Sequence, residues 1–460
     1  MINDIQEKKL FPRTLFTSFI LVRIYKTLFI FFALCPSFTQ ICPAQSIVPG
    51  LSIEHNAHKA EIPFERQGNF IILKVLFDDI LPLRFIFDTG AEHCILTKKE
   101  VAILFKIPFE KEIIIRGTDL HAEIKAYISR KVKLGLEGVE LTKDILVMDE
   151  DYFKFDKFAG LEIQGIIGAE TFRNYVVKID YIKQIMTIYE PSEFMATKHN
   201  DFDSLNIQIL HNKPFIDTQA QVETDSVVNL KLLLDTGAGL AMLLYAHSTP
   251  GLEPPKISIE SNIGTGLGGD LTGFMGRLKK ISLGKNITDL NSSTTTQNSN
   301  KKISAKRGTK LSFYGVVAAF QEVRDLADTS FLLGRNGILG GEILSRFTTI
   351  IDFPKEKIYL KPNRDYKQSF DYDRSGINFI AQGDNLNKFT VNSVIFHSPA
   401  SEAKIWRGDV LISLQRVSAR WLSLAVINKK LQGRTGKKIR IVLRRDGKKI
   451  VKYIVLRDLI

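Results

Sequence analysis

Leu83-Arg84-Phe85-Ile86-Phe87-Asp88-Thr89-Gly90-Ala91 and Leu230-Lys231-Leu232-Leu233-Leu234-Asp235-Thr236-Gly237-Ala238 are two copies of one arrangement. In each, an apolar strand runs directly into Asp-Thr-Gly-Ala, so a carboxylate emerges at a tight turn where a buried strand ends. A single copy reads equally well as an ordinary turn, in which Asp caps its own backbone and Gly accepts positive φ. Two copies inside a longer repeat do not. Gly165-Ile166-Ile167-Gly168-Ala169-Glu170 through Ile179-Asp180-Tyr181 matches Gly337-Ile338-Leu339-Gly340-Gly341-Glu342 through Ile351-Asp352-Phe353 in residue type and spacing. The repeat therefore spans whole lobes.

An apolar run, Asp-Thr-Gly, then a later apolar pair followed by Gly resembles the aspartic proteases, twice over. The Ala after each Asp-Thr-Gly, and Leu333-Gly334-Arg335-Asn336 ahead of the second glycine element, resemble the retroviral (retropepsin) branch. Retropepsins assemble two identical chains, whereas here both lobes lie on one chain, as in pepsin. The resemblance implies a mainly β fold, with two pseudo-symmetric β-barrel lobes at 55–195 and 200–362 acting as a single-chain protease. It implies Asp88 and Asp235 as a catalytic pair sharing one proton, with Thr89 and Thr236 clamping the turns across the lobe interface. Gly90 and Gly237 would turn the chain and offer N–H groups to the carboxylates, and Gly168 and Gly340 would allow close packing beneath each turn. No metal or organic cofactor is required. Glu92 and His93 follow the first turn and are expected to stay outside the chemistry.

The 460 residues suffice for two or three domains, and the apolar and charged fractions are those of a globular protein. The first 44 residues differ. Lys8, Lys9, Arg13, Arg23 and Lys26 precede the apolar run Thr27–Phe38, and Cys42 and Ala44 occupy the −3 and −1 positions of a cleavage site. This pattern reads as a secretory signal peptide, with an uncleaved membrane anchor as the alternative. Export to a bacterial periplasm or cell envelope follows. Cleavage would leave Cys94 alone, without a disulfide, as a small buried residue. No metal site can be built from these cysteines.

Phe70–Phe87, broken at Asp78-Asp79, and Phe215–Leu234 read as hairpins leading into the two turns. Each lobe needs a second hairpin as a flap over the cleft. The candidates are Ile113–Ala126, with Gly117 and Thr118 at its tip, and Ile263–Met275, with Gly266 and Gly268. The second contains a G-x-G-x-x-G pattern at Gly264–Gly269, but the glycine-rich sequence after it cannot form the helix that a dinucleotide site requires. Asp88 to Gly168 is 80 positions and Asp235 to Gly340 is 105, a surplus visible as the polar, low-complexity stretch 286–310. It reads as a solvated insertion, with a processing site as the alternative.

After a polar linker, Lys361–Tyr372, residues 373–460 resemble a PDZ domain of the bacterial protease-associated kind, on Ser398-Pro399-Ala400-Ser401-Glu402-Ala403 and Arg407-Gly408-Asp409-Val410. Gly376-Ile377-Asn378-Phe379 resembles the carboxylate-binding loop of that family, with Asn378 in place of the usual glycine. The resemblance implies a peptide or protein partner held there by backbone N–H groups and strand addition. The net charge of +13 is concentrated in this region: from Lys429 to Arg457 the only acid is Asp446. We read this as a solvated face, with no nucleic-acid partner. The sequence reading is thus an exported aspartic endopeptidase acting on polypeptides. The alternatives are a non-catalytic peptide-binding protein on the same fold and an envelope protein tethered through its PDZ domain.

Overall fold

Alternation of buried and exposed residues sets up the first lobe. Strands Phe70–Phe77 and Leu81–Asp88 form a hairpin whose turn residues Asp78 and Asp79 take φ of 49° and 58°. Both Asp residues tolerate this left-handed turn, which matches the strand twist. The computed structural model describes residues 50–54, 57–116, 122–267, 269–284, 311–322, 332 and 334–460. The 1–44 segment, the insertion 286–310, and the flap residues Gly117, Thr118 and Gly268 lie outside them.

The described chain is mainly β, in three sheets. In lobe one, strands Phe70–Phe77, Leu81–Asp88, Gly165–Gly168, Ile95–Leu96, Val139–Met148 and Glu123–Leu136 follow one another in hydrogen-bonded order, and the last pairs back to the first through Leu76↔Gly135. Lobe two repeats that order with Lys213–Gln221, Val228–Asp235, Gly337–Gly340, Met242–Ala246, Ser312–Glu322 and Gly269–Leu283, closed by Thr218↔Leu283. Closure into a barrel leaves these strands no free edge. The interiors are filled by large apolar side chains such as Phe77, Phe85 and Phe87 in lobe one and Phe215 and Phe320 in lobe two, all buried.

The lobes join through strands Val176–Asp180 and Phe347–Asp352, which pair antiparallel with Lys178 opposite Ile350. Each of these two residues lies two positions ahead of its own lobe's repeat aspartate, so the pairing is centred on equivalent residues and sets a pseudo-twofold axis between the lobes. The insertion 286–310 separates the paired strands Gly269–Leu283 and Ser312–Glu322, at the place where lobe one turns within Leu136–Val139.

Two expectations shift. Gly50–Ile53 pairs with Val139–Met148, so lobe one takes in chain ahead of residue 55; four residues are too few for a periodic pattern to reveal. The polar linker is not a free tether. Lys361 and Pro362 complete strand Lys357–Pro362, and Phe370 beyond it is buried with the Arg346 guanidinium 3.6 Å above its ring. Arg346 also donates to the carbonyls of Gln368 and Ser369. Three aromatic residues, Tyr366, Phe370 and Tyr372, pack against the main core from inside a stretch that reads as polar overall. The third sheet, Ile377–Gln382, Lys388–Val394, Val410–Leu414, Lys438–Arg445 and Lys448–Val455, has its own core around Phe379, Ile427 and Leu443.

Candidate active site

Both Asp-Thr-Gly turns are placed by the same register. Leu81–Asp88 runs parallel to Gly165–Gly168 with Asp88 opposite Gly168, and Val228–Asp235 runs parallel to Gly337–Gly340 with Asp235 opposite Gly340. A Cβ on Gly168 would lie 2.4 Å from the His93 carbonyl oxygen, and one on Gly340 2.2 Å from that of Leu240. The chain leaving each turn therefore folds back directly over its glycine. Ala169 N donates to Ala91 O, and Gly341 N to Ala238 O, locking that return in both lobes.

Across the axis the two turns interlock. Thr89 Oγ1 donates to Leu234 O at 2.7 Å and accepts from Thr236 N at 3.1 Å; Thr236 Oγ1 donates to Phe87 O at 2.8 Å and accepts from Thr89 N at 3.1 Å. Both threonines are buried, and each hydroxyl both donates to and accepts from the opposite lobe. Gly90 and Gly237 face the opposite carboxyl: a Cβ on Gly90 would fall 2.4 Å from Asp235 Oδ2, and one on Gly237 2.1 Å from Asp88 Cγ. Only glycine lets the carboxylates approach.

The carboxyls hydrogen-bond each other, and their surroundings differ. Asp88 Oδ1 accepts from Gly90 N at 2.7 Å and Ala91 N at 3.1 Å, and Asp235 Oδ1 accepts from Gly237 N at 2.8 Å. Burial pushes both pKa values up. For Asp235 the charge on Asp88 and the bond between the two add to burial and carry it well above the usual carboxylate range. For Asp88 the bond from Asp235 and the two N–H donors oppose burial. The two acids titrate as one coupled pair, and the additional backbone donor on Asp88 favours charge on that side.

Residues that the motifs did not mark complete the site. Lys213, half-buried at the start of its strand, lies close enough to feel Glu92 and both aspartates; burial and Arg335 lower its pKa. Asn69 Nδ2 donates to Gly239 O at 2.7 Å, and Asn212 Nδ2 to Glu92 Oε1 at 3.3 Å, so each lobe's first hairpin holds the residue four positions after the other lobe's aspartate. The only sequence signal for this pair is that both asparagines begin the hairpins leading to the turns. His93 Nδ1 and Glu170 Oε2 lie 2.9 Å apart at the surface, away from the pair. Cys94 is buried, its sulfur 3.2 Å from Thr171 Oγ1.

Of the flap residues, Gly266 is described, paired with Gly269 at the end of the hairpin Ser258–Gly266/Gly269–Leu283. The next residue, Leu267, is buried across the lobe boundary among Ile95, Ile124, Met148 and Ile166, with Ala91 at the edge of the cluster. In the C-terminal sheet, Gly376 needs to be glycine: its φ is 79°, and a Cβ would meet Ser398 at 2.2 Å. The N–H groups of Ser375 and Gly376 are given to Asp373 Oδ1 and that of Ile377 to Ser375 Oγ, while Asn378 is exposed and Phe379 is in the core. Asp409 is buried and held in a bidentate pair by Arg445, both bonds at 2.7 Å, which makes it a structural residue of that sheet. Among the described residues no group of His, Cys, Asp and Glu is placed to hold a metal ion, and no helix is long and apolar enough to cross a membrane.

The fold and site define a mainly β protein in which two repeated barrels present a hydrogen-bonded pair of aspartates, Asp235 buried and Asp88 partly exposed. Residues 73–171, the stretch of lobe one that carries Asp88 and Gly168, match the aspartyl protease family. No curated protein matches the chain. Among solved structures, one titled photosystem II D1 C-terminal processing protease is similar at 20% identity over 18% of this chain and 23% of that one, with a TM-score of 0.18. This chain spans less than a quarter of that protein, and the likeness assigns neither fold nor chemistry.

Proposed function

We propose that the chain is an aspartic endopeptidase whose catalytic residues are Asp88 and Asp235, complete as a single chain. The observation that carries this reading is the close carboxyl pair, with each aspartate against the other lobe's glycine and the two environments unequal. A groove that only held peptide would gain nothing from burying two acids together, an arrangement that disfavours ionisation of both.

In the mechanism, Asp88, the ionised partner, takes a proton from a water as its oxygen attacks the scissile carbonyl carbon. Asp235 delivers its proton to the carbonyl oxygen, giving a neutral tetrahedral diol. Asp88 then returns its proton to the leaving nitrogen, the C–N bond breaks, and the diol's hydroxyl proton goes back to Asp235. The Thr89–Thr236 interlock keeps the acids in register through the cycle, and the Leu267 hairpin covers the cleft. The remaining parts of the proposal are export through the N-terminal segment and a PDZ-type, peptide-binding C-terminal domain. Hydrolysis of denatured polypeptide by the purified chain, blocked by pepstatin and absent in Asp88→Asn, tests the catalytic reading. Undiminished hydrolysis in Asp88→Asn would refute it. Sequencing the mature N-terminus tests export.

A further inference from the structure

The edge strand Ile377–Gln382 and the helix Leu424–Leu431 lie side by side, forming the walls of a groove suited to an added peptide strand. A piece of lobe one already sits on both walls. The short helix Phe155–Ala159 packs against the strand and against the helix. It ends at Gly160, with φ of 67°, where a Cβ would lie 3.3 Å from Leu424 Cβ and 3.9 Å from Ala381 Cβ. Ala159 is buried and its carbonyl accepts from Gln67 Nε2 at 2.9 Å. Because Asp373 and Ser375 take up the N–H groups of Gly376 and Ile377, the groove suits an internal chain segment better than a free carboxyl terminus.

The same segment reaches the cleft. Phe153 and Phe155 stack at 4.9 Å and pack with the cluster that receives the flap residue Leu267 and borders Ala91. Lys98 ties Asp151 to Asp156 with bonds of 2.6 and 2.8 Å, and Asp156 Oδ1 accepts from Ile163 N, so 151–163 is braced along its length. Phe155 also meets Phe70 edge-on, and Phe70 abuts Gly239, four residues past Asp235. One braced strap thus has one end in the C-terminal groove and the other in the wall of the cleft.

We propose that the C-terminal domain works in cis as a clamp: its groove binds the Phe155–Gly160 strap, and an aromatic, internal peptide segment competing for that groove loosens the cleft wall. The catalytic part of this inference rests on the proposed peptidase activity; the occupancy of the groove does not. A cavity of about 1000 Å³ beside the strap, lined by Phe158, Leu424, Asn428 and Gln432 among others, gives a competing chain a way in.

The test uses the full chain carrying Gly160→Cys and Ala381→Cys, whose Cβ separation suits a disulfide. The bond should form under mild oxidation, and the oxidised protein should hydrolyse a short fluorogenic peptide with kcat and KM within about twofold of its reduced form. A second variant, Gly160→Val, places a β-branched residue at positive φ against Leu424 and should release the strap. Its KM should rise at least about fivefold, the lower end of ordinary coupling between sites, with kcat little changed. Hydrogen-exchange protection should fall across 151–163 while Lys438–Arg445 stays protected. A synthetic peptide of residues 151–163 added to the parent should reproduce the KM rise and should leave the oxidised cross-linked protein unaffected. Unprotected exchange across 151–163 in the parent, or a Gly160→Val protein that exchanges like the parent, would overturn the clamp. A parent without hydrolytic activity would refute the peptidase reading alone, because cross-linking and exchange still decide whether the groove is occupied.

Discussion

Lobe one and lobe two place the same motif with the same strand order and register, yet they give its acids opposite surroundings. Asp88 accepts two backbone N–H groups and Asp235 one. The contrast recurs one layer down at the repeat glutamates. Burial alone would raise the pKa of Glu170, but His93 and Lys143 beside it outweigh burial and lower it. Glu342, its counterpart, is about as exposed, but desolvation pushes it up to about 7 despite Arg346. Backbone symmetry therefore fixes where the carboxyls stand; backbone donors within the turns set the aspartates apart, and burial and neighbouring side chains set the glutamates apart.

The largest effect expected from breaking the symmetry is on chemistry. Asp88→Asn and Asp235→Asn should each lower kcat on the order of 10⁴-fold, since each removes half of one acid–base unit. Stability should separate them: burial raises both acids, so each favours the unfolded state as it ionises, and Asp235→Asn, which removes the more strongly raised one, should melt higher than Asp88→Asn. Equal melting temperatures across pH 5–8 would mean that the proton is shared evenly.

Next come the glycines that face the opposing acids. Gly237→Ala, with its Cβ 2.1 Å from Asp88 Cγ, should destabilise by about 3 kcal/mol, and Gly90→Ala by a similar amount. Chemical denaturation reads both. If either alanine variant kept parental stability and activity, the close cross-lobe approach would be wrong.

Glu342→Gln tests the asymmetry one layer down. The folded protein holds the Glu342 proton up to about pH 7 while the unfolded chain releases it near 4.5. Stability linked to this group is thus full below the unfolded value and is lost as pH rises through 7. The loss reaches about 3 kcal/mol at most. Glu342→Gln should flatten that fall. Glu170→Gln should do the reverse, removing stability that is present above pH 4.5 and lost as pH drops through the lowered folded value. Melting curves from about pH 3 to pH 8 distinguish the two signs.

The smallest effect is expected at the residue after each turn. Ala91 and Ala238 have no side-chain donor, so the pair keeps its proton to higher pH than it would with a hydroxyl nearby. Ala238→Ser should shift the pH–rate profile toward acid by about one unit or less, and more than Ala91→Ser does, because Asp235 has the fewer donors to begin with.

The paired turns were legible because they rest on local regularities: an apolar strand, Asp-Thr-Gly, and an apolar-apolar-Gly partner at matching offsets. Hairpin turns such as Asp78-Asp79 were legible for the same reason. Asn69, Asn212 and Lys213 were not, since a single polar residue in a turn looks the same whether it faces solvent or reaches across a lobe boundary. The linker misled for a related reason: Phe370 and Tyr366 sit among charged residues, and only the Arg346 guanidinium and the aromatic ring of Phe313 near them make that stretch part of the core.

By itself the sequence determined a repeated, mainly β chain with an Asp-Thr-Gly turn after an apolar strand in each half, because these follow from local periodicity, while the two lobes and the glycines beneath the turns were what the family resemblance implied. The tertiary structure alone decided that Asp88 receives two backbone donors and Asp235 one, that Glu342 and Glu170 shift in opposite directions, and that the helix Phe155–Ala159 packs on the C-terminal sheet. Those outcomes depend on desolvation and on charges and surfaces brought together from distant parts of the chain, and no local pattern encodes them.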